Sequence, residues 1–352
     1  MVWWQVILFP FAILYNLVTR FRNHLFNIGY TRAFDFEVNT IVVGNLSVGG
    51  TGKSPMVSYL LEKLQHEYPA ATLSRGYGRK SRGFLVASEE SSARDIGDEP
   101  YMFYQRHGNQ ATIAAGEDRA YAIPGILYEA PATQLILLDD AFQHRTVKAG
   151  LNVLLTRYDR PFYDDYLLPS GQLRESRTGA KRADLIVMTK CPDDLDNDGK
   201  DRIISNIRTY ADAPVYFTKV AYQAAVAFDE SAVPEVTPKS FVVVAGIAHN
   251  ADFVAYCQEA YSIKEVFTFP DHHNYTEKDL IRIADALNPQ TGLLTTEKDW
   301  VKLKTVKGLQ GFACYYVPIK TVFLDEESQF LEEVKNSLKE YPHETVVQPQ
   351  DH

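Results

Sequence analysis

Short apolar runs recur along this chain, each ending in small or charged residues, and most are followed by a stretch of helical spacing. Strands are predicted at 40–43, 71–73, 134–138, 151–156 and 185–188, with a helix over 56–66 and a loop over 95–100 that opens a helical stretch toward His107. These runs are apolar throughout rather than alternating, as a parallel strand covered by helices on both faces requires. Strands taking turns with helices predict an α/β fold built on a mainly parallel sheet. Beyond position 210 the pattern restarts, with strands expected at 215–220, 241–245, 263–269 and 292–295. The expected organisation is an apolar helix over 1–30, a larger α/β domain over 31–220, a linker over 221–240 holding Pro234 and Pro238, and a smaller α/β domain over 241–352.

The first segment has its own character. Residues 2–19 carry no charge, and Arg20, Arg22 and His24 follow directly. Crossing a bilayer takes about 20 apolar residues, and Gln5, Pro10 and Asn16 interrupt this stretch. A cleaved signal would place positive charge before the apolar run and a small-residue site after it, and neither is seen. The segment reads as a helix lying in a membrane interface, with Trp3, Trp4, Phe9 and Phe11 in lipid and Arg20 and Arg22 near headgroups. An ordinary core helix is the competing reading.

Composition narrows the class. The 352 residues are 45% hydrophobic and 23% charged, which is ordinary for a globular chain long enough for two domains. A formal net charge of -9 argues against a nucleic-acid-binding surface. Cys191, Cys257 and Cys314 are far apart and form no C-x-x-C pair, so neither a disulfide framework nor a zinc site is suggested.

The candidate chemistry begins where the first strand ends. Ser47, Val48, Gly49, Gly50, Thr51, Gly52, Lys53 and Ser54 read as a phosphate-binding loop running into a helix. Glycines let successive amides turn inward around an anion, and the helix adds its positive end. Lys53 would reach the β- and γ-phosphates of ATP or GTP, and the Ser54 hydroxyl would be a magnesium ligand. Ser47 stands where the usual spacing has glycine, while Pro55 suits an early helical position. The apolar run closing on Asp139 and Asp140 is the matching acidic strand, able to present carboxylates to Mg2+.

Three further strings are candidates by composition alone. Residues 74–79 combine glycines with Arg75 and Arg79, and read equally as a phosphate-facing loop or a solvated basic turn. Residues 269–275 set Asp271, His272 and His273 after a strand, where proton transfer or hydrogen bonding is a better fit than zinc. Residues 295–299 resemble a capping box opening a helix.

Taken together and in order, the motifs at 47–54, 74–79, 97–100, 139–144, 173–175, 269–272 and 294–299 resemble the tetraacyldisaccharide 4'-kinase family, the lipid A 4'-kinases. The resemblance implies a P-loop domain joined to a smaller α/β domain, with ATP between them. It implies transfer of the γ-phosphate, with magnesium, to the 4'-hydroxyl of an acylated glucosamine disaccharide 1-phosphate, giving lipid IVA at the cytoplasmic face of the bacterial inner membrane. Carried over by position, Asp98 is the proton acceptor and His272 its partner, Asp139 and Asp140 are the metal-binding carboxylates, and Arg174 and Glu175 approach the nucleotide or the acceptor. Ala141 stands where the family usually has glycine, and Ser54 where threonine is usual.

Two other readings remain at this point. A P-loop GTPase or ATPase switch of the metallochaperone type shares the loop and the acidic strand. Guanine recognition would need an Asn/Thr-Lys-x-Asp element, and here Thr189 and Lys190 are followed by Cys191 and Pro192, with Asp193 one place too late. A membrane-attached nucleotide-binding scaffold would bind nucleotide without turnover.

Overall fold

The structure is a computed structural model and describes residues 3–228 and 238–341. Its strands are β1 (Asn39–Asn45), β2 (Ala70–Ser74), β3 (Leu85–Val86), β4 (Ala111–Ala115), β5 (Leu135–Asp139), β6 (Leu151–Arg157) and β7 (Leu185–Thr189). They continue as β8 (Val215–Tyr222), β9 (Val226–Ala227), β10 (Ser240–Ala245), β11 (Ile263–Thr268), β12 (Thr291–Thr296), β13 (Cys314–Val317) and β14 (Ile319–Phe323). The helices are α1 (Trp3–Asn27), α2 (Lys53–Leu64), α3 (Ala93–Ile96), α4 (Asp98–His107) and α5 (Arg119–Glu129). The later ones are α6 (Asn197–Arg208), α7 (Asn250–Ala260), α8 (Glu277–Ala286), α9 (Glu297–Leu303) and α10 (Glu327–Asn336).

Strand β1 occupies the centre of the larger sheet, whose order is β14-β8-β7-β6-β1-β5-β2-β4-β3. All its pairings are parallel except at the two edges, where β3 and β14 run antiparallel to their neighbours. Every residue of β1 is buried, and the alternation of its side chains divides the core in two. Ile41 and Val43 join Met56, Leu60 and Leu61 of α2 on one face, while Val42 joins Ile123 and Ile126 of α5 on the other. This covering on both faces is the physical reason the strand sequences lack polar alternation.

The smaller sheet has the order β11-β10-β12-β13-β9, parallel apart from β9. It departs from the expected partition in one respect. After β13 the chain returns to the larger sheet as β14, and α10 packs there too. Phe323 and Phe330 stand 4.8 Å apart between ring centroids, and Phe330 lies 5.2 Å from Tyr216. Aromatic burial of this kind draws the last strand and helix away from the smaller sheet. Of the expected linker, residues 229–237 lie outside the described residues, while Val226 and Ala227 are already paired in the smaller sheet.

Helix α1 is held along one side only. Ala12 and Thr19 are buried, Tyr15 donates its hydroxyl to the Arg174 carbonyl at 2.8 Å, and Ser170 donates to the Gln5 carbonyl at 3.1 Å. Elsewhere Ile7, Phe11, Leu14, Leu17, Val18 and Phe21 are each at least 60% exposed, a run of apolar side chains left facing outward along the helix. Among the described residues no helix is long and apolar enough to cross a membrane.

Candidate active site

At the carboxyl end of β1 the chain turns through the glycine loop before α2 begins at Lys53. Gly49 and Gly52 have φ of 98° and 84°, a left-handed backbone that side-chain-bearing residues resist, so these glycines make the turn possible. Ser47 bridges Leu173, and the Val48 amide donates to the Gln172 carbonyl at 2.8 Å, so the outer rim of the loop leans on 172–173. Behind it, Thr189 at the end of β7 donates to the Thr51 carbonyl at 2.9 Å. A Cβ on Gly50 would sit 3.8 Å from the His249 ring, so the smaller sheet approaches the loop there. Neighbouring strands thus brace the cradle expected over 47–54.

Lys53 bends back over the strand ends, 3.4 Å from Asn45 Oδ1 and 3.7 Å from Asp140 Oδ1. Ser54 donates to Glu99 Oε1 at 3.1 Å, which ties the start of α4 to the start of α2. The acidic pair closing β5 divides into two environments. Asp139 is buried, and one of its oxygens accepts from Ser74 at 3.2 Å while the other has no partner. Burial, with Glu99 and Asp140 adding repulsion, pushes its carboxyl well above the usual range. Asp140 faces Arg174, with contacts of 2.7 and 3.2 Å. Burial opposes its ionisation, but Lys53 and Arg174 outweigh that and bring it down to about 2.

A buried carboxylate oxygen with an unmet acceptor, and a serine hydroxyl at the start of α2 whose lone pairs can still accept a cation, suit a hard cation that brings its remaining ligands from phosphates and water. Asp139 and Ser54, with Asp140 beside them, fit magnesium in that sense. Among the described residues no group of three or more His, Cys, Asp or Glu side chains could hold a metal ion alone. Magnesium seldom needs such a cage, because the nucleotide supplies ligands of its own.

Arg174 and Glu175, expected together near the nucleotide or the acceptor, have separate partners. Arg174 faces Asp140 and Asn45. Glu175 turns toward α1, where its carboxylate is taken up by Arg182 at 2.7 Å, Asn23 at 2.8 Å and Gln143 at 3.0 Å.

Asp98 and His272 meet although they lie on different sheets. Asp98 opens α4, and His272 sits in the loop after β11 with a left-handed φ of 57°. Nδ1 of His272 is 3.1 Å from Asp98 Oδ2, its ring packs 4.8 Å from that of Tyr77, and its Nε2 is 3.0 Å from the Lys298 ammonium. An ammonium can only donate, so Nε2 accepts and Nδ1 carries the proton given to Asp98. Burial would raise the Asp98 carboxyl, yet hydrogen bonds from His272 and Lys302 outweigh it and leave the group below its ordinary value.

Several contributors had no motif to announce them. Asn45 holds both Lys53 and Arg174 through its side-chain carbonyl. Arg119 is wholly buried and donates to the Asp139 carbonyl at 3.1 Å, fixing the end of β5. Glu99 belongs to the motif at 97–100, and the fold sets it on Ser54. At 295–299 the helix has an N-cap rather than the full capping box: Thr296 accepts from the Asp299 amide at 3.1 Å, while the Asp299 carboxylate turns to the Thr296 hydroxyl and the Gly246 amide instead of the Thr296 amide.

A glycine-rich loop after a central parallel strand, tied through Ser54 and Glu99 to an aspartate–histidine pair, has the form of a P-loop kinase site. Comparison with known proteins agrees. The family model described as LpxK, tetraacyldisaccharide-1-P 4'-kinase, matches residues 4–339. A tetraacyldisaccharide 4'-kinase of Flavobacterium johnsoniae is 42% identical over 336 residues, covering 95% of this chain and 97% of that one. One from Bacteroides thetaiotaomicron is 38% identical over 313 residues, covering 84% and 82%. The crystal structure of LpxK from Aquifex aeolicus in complex with ATP superimposes with a TM-score of 0.77 at 28% identity, covering 95% of this chain and 99% of that one. The chain belongs to the tetraacyldisaccharide-1-P 4'-kinase family. With membership goes the activity, that of an ATP-dependent lipid A 4'-kinase, and the GTPase-switch alternative is not favoured.

Proposed function

We propose that the cradle over 47–54 binds the triphosphate of ATP, that Asp98 takes the proton of the sugar's 4'-hydroxyl, and that α1 rests on the cytoplasmic face of the inner membrane that supplies the lipid. The observation that carries the reading is the hydrogen bond from Ser54 to Glu99, because Glu99 directly follows Asp98. It brings a carboxylate base to the edge of the phosphate cradle. The acceptor is an acylated glucosamine disaccharide phosphate, and the γ-phosphate passes to its 4'-oxygen.

Each residue's part follows from its chemistry. The loop amides and Lys53 hold the phosphates, and Lys53 follows the negative charge onto the transferring group. Arg174 and Asn45 keep Lys53 and Asp140 in register. Asp98 receives the hydroxyl proton, and His272, donating from Nδ1, holds that carboxylate in place and stabilises its charge. Magnesium, held by Ser54 and Asp139 with Asp140 beside them, would supply charge neutralisation at the phosphates when bound. The exposed apolar face of α1, followed by Arg20 and Arg22, supports a helix in the headgroup region rather than a span.

Phosphate gain by the acylated disaccharide phosphate, followed by mass spectrometry with ATP and magnesium, tests the reading. Product is expected with the native protein and is absent with Asp98→Ala, while nucleotide binding persists in both. A variant turning over at native rate would remove Asp98 from the role.

A further inference from the structure

Two lysines of α9 meet the Asp98–His272 pair. Lys302 Nζ lies 2.7 Å from Asp98 Oδ2 and 3.1 Å from the His273 carbonyl. Lys298 Nζ lies 3.0 Å from His272 Nε2 and 3.0 Å from Asp271 Oδ1. The Lys302 side chain is only 11% exposed. Sinking a lysine to that depth costs side-chain entropy and hydration, so its partners must matter to the fold or to the reaction.

The geometry favours the reaction. His272 and Lys302 both contact Oδ2 of Asp98. Two donors converging on one oxygen fix the orientation of the carboxylate. The two donors come from the loop after β11 and from α9, both on the smaller sheet, whereas Asp98 opens α4 on the larger one. The carboxylate is gripped only when the two sheets are apposed.

We propose that Lys302 is a positioning residue for phosphoryl transfer, its ammonium fixing the orientation of the Asp98 carboxylate for the acceptor hydroxyl and joining the base to the His272 loop. The proposal rests on Asp98 being the proton acceptor. An ammonium at 2.7 Å also favours the ionised carboxylate. The charged and titratable groups around it are His272, Lys302, Lys298, Asp271 and Tyr275, and of these Lys302 and His272 touch it.

Steady-state kinetics of the full chain with ATP and the acylated disaccharide phosphate, across pH, separate the outcomes. For Lys302→Met, kcat is expected to fall roughly 10–100-fold with the KM for ATP unchanged, and the acid limb of kcat/KM to move up by about one pH unit. Lys302→Arg, which keeps the positive charge, is expected to restore most of the rate and the native acid limb. A Lys302→Met profile superimposable on the native one, with Asp98→Asn inactive, overturns this inference and leaves the base intact. Failure of Lys302→Arg to recover either the rate or the limb also overturns it. An active Asp98→Asn overturns the base and this inference together.

Discussion

Nδ1 of His272 stands 3.1 Å from Oδ2 of Asp98 across 174 positions of sequence, joining a loop of the smaller sheet to the first turn of a helix on the larger. A base so assembled is expected to fail if either partner changes, but unequally. Asp98→Asn should cut kcat by about 10²–10⁴-fold, and His272→Gln, which keeps a donor, by clearly less. Nucleotide affinity, read by calorimetry, should be unchanged in both.

Asp139 offers a buried oxygen with no partner, so its charge matters chiefly when a cation is present. Chelating magnesium should abolish turnover, and Asp139→Asn should raise the magnesium concentration giving half-maximal rate by roughly tenfold or more. Titration of activity against magnesium checks both.

Gly97 has a φ of 99°, and a Cβ there would lie 2.8 Å from the Gly76 backbone. Gly97→Ala should destabilise the protein by roughly 1–3 kcal/mol from backbone conformation alone. Because Asp98 comes next, activity should fall further than the melting temperature implies. Thermal denaturation and kcat measured on the same preparation separate the two effects.

His107 is buried against the Ser58 hydroxyl at 2.6 Å, and burial followed by repulsion from Arg106 pushes its pKa down to about 4. The unfolded chain therefore binds a proton that the folded one refuses. This contribution to stability is complete above the unfolded pKa of about 6.5 and is lost as pH falls toward 4, a change of about 3 kcal/mol. Denaturant melts of native protein and His107→Asn, compared between pH 7 and pH 4.5, should converge as the pH drops.

Phe11 and Leu14 lie on the free face of α1, each 62% exposed. Replacing both with serine should weaken binding to phospholipid vesicles by about 3 kcal/mol, or ~100-fold. ATP binding should be untouched, which vesicle sedimentation and calorimetry would establish.

Strands such as β1, β5 and β7 were legible because a doubly covered parallel strand must be apolar along its length. Strand β4 was not, since Ala111, Ala114 and Ala115 carry little strand preference and are held by neighbours on either side. The return of β14 and α10 to the larger sheet had no local signal either, because Phe323 and Phe330 are sorted by aromatic partners far away in sequence. At the site, the glycine loop and the acidic strand end have fixed spacing and so could be read. Asn45, Arg119 and Lys302 are single residues whose meaning arises only from what the fold sets beside them.

The return of β14 has a mechanical side. The smaller sheet is an insertion whose two covalent connections, leaving through β8 and coming back through β14, are zipped together as antiparallel neighbours, with the Gln223 amide on the Pro318 carbonyl at 2.8 Å. A body hung from two adjoining ribbons can rock about the line between them but resists spinning and cannot drift off. His272 and Lys302, the two groups on Asp98, are carried by the body that these paired strands tether.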